Sequence, residues 1–303
     1  MRTEGRTTMN RTLRLATTLA VATGVASGCT SDLPVASELT ATRILGARVE
    51  VAADPGRADV APGEAANVEW IVAAPTDPGA FDWMFATCVG IDGACADTPG
   101  APTTGTGQPV VVPFTTPAAD ALGGRRVPLM GGMLDGIVAR FSIPVEADGA
   151  APNRHPALAN DEIDLDGAPW TTPAAGDAGG PCDGSDGTPV VHATPDGATA
   201  VDSVVRLVSD ADDRDSYVTD PATGATALEE LQISNFATAG KFTASYAAIF
   251  ADDFRPNPDV TMKWEPPAAR DVPAGGEIVH VYLVVRDGRG GLDWTSRALC
   301  AVR

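Results

Sequence analysis

From residue 40 onward, Gly, Pro and Asp clusters interrupt the chain so often that no apolar stretch keeps a helical period for ten residues. Gly supplies positive φ and Pro removes a backbone donor, so such punctuation leaves strands and turns as the regular structure on offer. The 32 Gly and 25 Pro could by themselves signal disorder, but 44% of the 303 residues are hydrophobic, which is enough to build a core. The length suits about two domains.

Strand candidates alternate with turns along the whole chain. In the first half they are 43–51, 67–72, 82–88, 109–114 and 136–143. Prolines flank several of them, as suits strand ends and edges. Gly131-Gly132, between Met130 and Met133, reads as a turn under apolar cover. Residues 147–160 are poor in large apolar groups and mark a boundary. The second half opens at Glu162-Ile163-Asp164-Leu165-Asp166-Gly167 and holds a Gly/Pro/Asp-rich loop over 171–189. Strands resume at 201–208, 228–237, 241–250, 260–264, 277–286 and 292–302, with one helical turn at 228–231 as an alternative. Residues 278–285 form the most apolar strand, expected at a sheet centre, and Asp287-Gly288-Arg289-Gly290-Gly291 is a hairpin signal. The expected fold class is all-β, with several short strands suiting β-sandwiches.

The first 28 residues read as an address. Arg2, Arg6, Arg11 and Arg14 precede a small, apolar run over 15–26, too short to span a bilayer as a helix. Met9 is an alternative start. The run ends Val25-Ala26-Ser27-Gly28-Cys29, which resembles the lipobox of bacterial lipoproteins. The resemblance implies cleavage before Cys29, acylation of that Cys and attachment to a membrane through the lipid. Thr30, Ser31 and Asp32 follow, and Asp is absent from the position directly after Cys29, so the outer membrane is the expected destination. A periplasmic or secreted protein cut near Ala26 is the alternative.

Removing residues 1–28 leaves 17 basic and 39 acidic side chains, a net charge of -22 against -19 for the full chain. That balance excludes a surface built for nucleic-acid phosphates. Lys241 and Lys263 are the only lysines, so no polybasic membrane patch exists. Beyond Cys29 four cysteines remain, Cys88, Cys95, Cys182 and Cys300, an even number that favours disulfides in an exported chain. Of three pairings, Cys88–Cys95 with Cys182–Cys300 is preferred, because the segment between the first two can turn back.

In the second half, Leu231–Gly240, Trp264-Glu265-Pro266-Pro267 and Val281–Gly291 together resemble bacterial Ig-like and PKD-like extracellular domains, with Asn235 where those domains carry Trp. Pro62-Gly63-Glu64 before a strand resembles the opening of such a domain. The whole is similar to lipoproteins of myxobacteria and their relatives. The resemblance implies two tandem Ig-like β-sandwiches, at 40–150 and 151–303, after a tether at 29–39.

Candidate chemistry is sparse. Asp210, Asp212, Asp213 and Asp215 form the densest acidic cluster and offer a weak Ca²⁺ site, although Arg214 and Pro221 occupy positions that an EF-hand needs for ligands. Turn-forming and solvating roles are the competing reading for these aspartates. No Gly-x-Ser-x-Gly elbow or phosphate-cradling loop is present. His280 reads as packed in its strand, and His155 and His192 lie in Pro-rich stretches with no readable partner. Among five tryptophans, Trp170 is the expected exposed one, a candidate carbohydrate platform. The reading is a lipid-anchored envelope protein acting as a structural or binding module for a protein or carbohydrate ligand. The alternatives are an enzyme or enzyme accessory with a site in loops 90–107 or 171–199, and a calcium-stabilised adhesin-like module.

Overall fold

The computed structural model describes residues 36–76, 80–122, 126–146, 151–159, 162–171, 176–196, 198, 200–209, 213–220 and 222–303. Among them the fold is all-β, with a 3-10 turn at Ala119–Ala121 and no α-helix. The first half contributes β1 (Arg43–Val51), β2 (Ala65–Ala73), β3 (Asp82–Ile91), β4 (Ala94–Cys95), β5 (Thr103–Thr106), β6 (Val110–Thr115), β7 (Arg126–Leu134) and β8 (Ile137–Ser142). The second contributes β9 (Ile163–Leu165), β10 (Ala168–Pro169), β11 (Val190–His192), β12 (Ser203–Val208), β13 (Ser216–Asp220) and β14 (Ala225–Leu228). It continues with β15 (Leu231–Ala237), β16 (Lys241–Phe242), β17 (Tyr246–Ile249), β18 (Asp259–Glu265), β19 (Glu277–Arg286) and β20 (Leu292–Val302).

Each half packs two sheets on a core of its own. In the first, sheet β1-β2-β6 faces sheet β4-β3-β7-β8, with β5 also on β3. Alternating residues meet between the sheets: Val49, Val68, Trp70, Phe85, Val112 and Met130 are all buried. In the second, sheet β10-β9-β12-β18-β16 faces β11-β20-β19-β15-β17, around Trp264, Trp170, Phe242, Ile233 and Leu283. A third cluster joins the halves. Leu45, Ile71 and Ala73 of the first meet Val284 and Leu292 of the second. This explains the uninterrupted apolar text of β19: it sits mid-sheet and is buried on both faces.

The cysteines pair as Cys88–Cys95 and Cys182–Cys300. The second bond holds the segment before β11 against the end of β20, where β11 adds in parallel.

Three sequence expectations need correction. Gly131 and Gly132 are not a turn but the middle of β7, where they pair with Ala86 and Phe85. A Cβ on Gly132 would lie 2.0 Å from the Met84 carbonyl oxygen and 2.7 Å from the Phe85 ring, so the glycine makes room for Phe85 to stack on Trp70 with ring centroids 4.4 Å apart. Trp170 is not exposed. It is fully buried and donates its indole N–H to the Ala298 carbonyl at 2.9 Å. The stretch 228–231 is strand and strand connection, not a helical turn.

The end of the segment read as a tether is built into the fold. Ser37 and Leu39 are buried, Leu39 N donates to Ala237 O at 2.8 Å, and Ser37 Oγ accepts from Phe242 N at 3.2 Å.

Two neighbouring glycines give a direct test of the β7 packing. Gly132→Ala is expected to cost about 3 kcal/mol through overpacking. At Gly131 a Cβ meets nothing nearer than 3.8 Å, so Gly131→Ala stays within about 0.5 kcal/mol of wild type. Urea midpoints of the two variants check the contrast, and equal values refute it.

Candidate functional site

A groove of about 720 Å³ is bordered by β1 and β8 of the first half and by the β19–β20 turn of the second. Both bordering strands are sheet edges. Ile143 N donates to Pro128 O, which fixes the register of the β7–β8 ladder. In an antiparallel pair the bonded residues alternate, so the N–H and C=O groups of Val138, Arg140 and Ser142 point to the free side of β8. The free side of β1 is partly capped from the second half. Leu45, displaced by a bulge between Ile44 and Gly46, gives its carbonyl to Arg286, and Val49 gives its carbonyl to His155 Nε2 at 2.6 Å.

The groove is apolar with a positive rim. Ile44, Ala47, Ile137 and Phe141 contribute its walls, together with Trp70. Trp70 is buried, meets Phe141 edge-on at 6.3 Å, and has no acceptor for its indole N–H among the described residues. Arg43, Arg140 and Arg286 also line the groove, and no Asp or Glu does. None of the three pairs with a carboxylate among the described residues. Arg43 donates to Ala36 O at 2.7 Å, Arg140 to Gly93 O at 3.2 Å, and Arg286 to Leu45 O and to Ser234 Oγ at 3.1 Å. Burial pulls the Arg286 guanidinium below its ordinary value, as desolvation of an unpaired cation must. In a chain this acidic, a groove lined by three arginines and no acid is a local reversal of charge.

Next to β8, the outer face of the sheet carries an exposed apolar row. Met84 pairs with Met133 and Met133 with Val138 across three strands, and these side chains are 45%, 46% and 68% exposed.

A second cluster lies between the halves and is polar. Asp287 accepts from Arg289 N, Gly291 N and Asn153 Nδ2, at 2.7, 2.8 and 2.8 Å. Asn153 N in turn donates to Asp59 at 2.9 Å. Arg289 reaches Glu229 at 2.6 Å and lies over the Tyr217 ring at 4.6 Å. Glu229 is buried, and that burial raises its carboxyl to about 7 despite the arginine and the Asp215 N–H that it accepts. His155 uses both ring nitrogens, accepting from Leu292 N at Nδ1 (3.0 Å) and donating from Nε2 to Val49 O. Burial and then the Arg48 charge hold it below the ordinary imidazole value, so the ring is a neutral strut between the halves.

The residues singled out from sequence are scattered. Cys29, Asp210 and Asp212 lie outside the described residues. Asp213 and Asp215 accept backbone N–H groups from Ala157 at 3.1 Å and Arg154 at 3.3 Å. The residue that organises this loop is Arg214, buried and donating to the carbonyls of Glu229, Phe250 and Asp253 at 2.7–2.8 Å. His280 is packed in β19, and His192 lies exposed on the edge strand β11. Among the described residues no group of three His, Cys, Asp or Glu is placed to hold a metal. Sequence reading missed Arg43, Arg140 and Arg286 because isolated arginines in strands carry no motif. Arg43 and Arg140 stand between uncharged neighbours, but Arg286 is followed by Asp287, so sequence adjacency offers no signal for the set.

The raised Glu229 pKa predicts a pH effect of definite sign. Between about 4.5 and about 7 the folded chain holds a proton that the unfolded chain has lost, so this group's contribution to stability falls as pH rises through that window. Glu229→Gln is therefore expected to gain on wild type, by on the order of 2 kcal/mol, between pH 5 and pH 8. Urea midpoints of both proteins at the two pH values check it; a constant difference would show that Glu229 is not perturbed.

No protein-family model matches the chain, and no curated protein matches it either.

Proposed function

We propose that this chain is a lipid-anchored binding module of the bacterial envelope, made of two Ig-like β-sandwiches and attached through Cys29. The observation that carries the binding role is the groove between β1 and β8, an apolar cleft with an all-basic rim on a protein of net charge -19. Extracytoplasmic residence is supported by the two disulfides, which suit an oxidising compartment. The outer membrane is the destination favoured by residues 30–32.

A peptide or protein ligand suits the surface better than a carbohydrate. Trp70, Trp83, Trp170 and Trp264 are all buried, so none of these four offers a flat exposed face for a sugar ring.

The anchor has its own test. Expressed in a Gram-negative host, wild type is expected to carry acyl chains on Cys29 by intact mass and to sediment with membranes. Cys29→Ala is expected to lose both properties while keeping its two disulfides. Soluble, unacylated wild type overturns the anchor and leaves the groove argument untouched.

A further inference from the structure

We propose that the groove takes an extended peptide segment bearing a carboxylate, added as a strand to the free edge of β8 with the carboxylate directed to Arg286 and Arg43. This rests on the binding role proposed above and names its ligand class.

Three observations converge. First, β8 presents alternating donors and acceptors at Val138, Arg140 and Ser142, all in one row and without partners among the described residues. Only another extended backbone satisfies such a row along its length. Second, the rim holds guanidinium groups without counter-charges. Arg286 has spent bonds only on the neutral Leu45 carbonyl and Ser234 hydroxyl, and Arg43 only on the Ala36 carbonyl. A guanidinium has five donors, so both keep N–H groups for a carboxylate. Third, the groove wall includes the Trp70 indole, a buried donor lacking an acceptor, beside the apolar Ile44, Ile137 and Phe141. A strand seated here would place alternate side chains against that wall.

The same facts discriminate against other occupants. An anionic amphiphile satisfies the arginines and the wall but leaves the β8 row unpaired. A second copy of this chain pairing β8 with β8 would set two strongly acidic molecules side by side and bring Arg140 near its own counterpart.

The test uses residues 30–303, the soluble form without the anchoring Cys29, and a displayed library of random decapeptides with free C-termini. Selected peptides are expected to share alternating apolar positions and at least one acidic residue or a terminal carboxylate contact. Their affinity is expected to fall about tenfold or more in Arg286→Gln, and by a similar factor in Arg43→Gln, which keeps the test open if the first variant folds poorly. Val138→Pro removes an N–H that serves only the free edge, so it is expected to abolish binding with the β7–β8 ladder intact, while Val138→Thr retains it. Binding indifferent to Val138→Pro overturns the strand-addition geometry. Binding of decanoate that depends on Arg286, with no peptide enriched, overturns the ligand class and preserves the binding role. A β8-dependent dimer in sedimentation velocity likewise overturns the peptide proposal. No peptide, decanoate or self-association at the groove overturns this inference and the binding role together.

Discussion

The structure depends on burying one sheet twice. The sheet containing β15, β19 and β20 turns one face to the core around Trp264 and Leu283 and the other to the β1-β2 layer. A strand covered on both faces has no side to spend on polar residues, so β19 is apolar at consecutive positions and not only at alternate ones. Apolar burial at roughly 25 cal/mol per Å² is non-directional, however, and would let the two layers slide. Direction comes from hydrogen bonds at the margin of the cluster. Arg286 holds the Leu45 carbonyl, His155 ties β1 to the start of β20, and Arg48 meets Asp293 at 2.6 Å.

These marginal bonds also shape the candidate site. Antiparallel sheets leave edges, and an unpaired edge invites association. In β1 the second half covers part of that edge, at Leu45 and Val49. In β8 nothing among the described residues does so. The groove therefore lies where stitching between the halves stops. Its charge follows from the same architecture, since Arg286 belongs to the apolar strand β19 and emerges at its end, where a carboxylate partner would have to be buried as well.

Much of the fold was legible in sequence, because turn chemistry and strand length are local properties. The positions of β1, β3, β19 and β20 follow from apolar runs bounded by Gly, Pro and Asp. Three failures share a cause. Gly131-Gly132 looks like a turn until one knows that Phe85 lies across from it. Trp170 looks exposed because its neighbours are Ala168 and Pro169, whereas Ala298, far along the chain, supplies its acceptor. His155 looks partnerless because its partners are Val49 and Leu292. In each case the deciding contact is distant in sequence. The groove was illegible for the same reason: it exists only where strands from both halves approach, and no spacing within either half announces it.

Ser37 and Leu39 are held by Ala237 and Phe242, and this sets a reach. If Cys29 carries a lipid as proposed, eight residues separate it from Ser37, and fully extended they span at most about 29 Å. That limit would hold Ser37 within roughly one bilayer thickness of the membrane surface. Under the proposed anchor, the strands that hold Ser37 would therefore work near the membrane and not far from it.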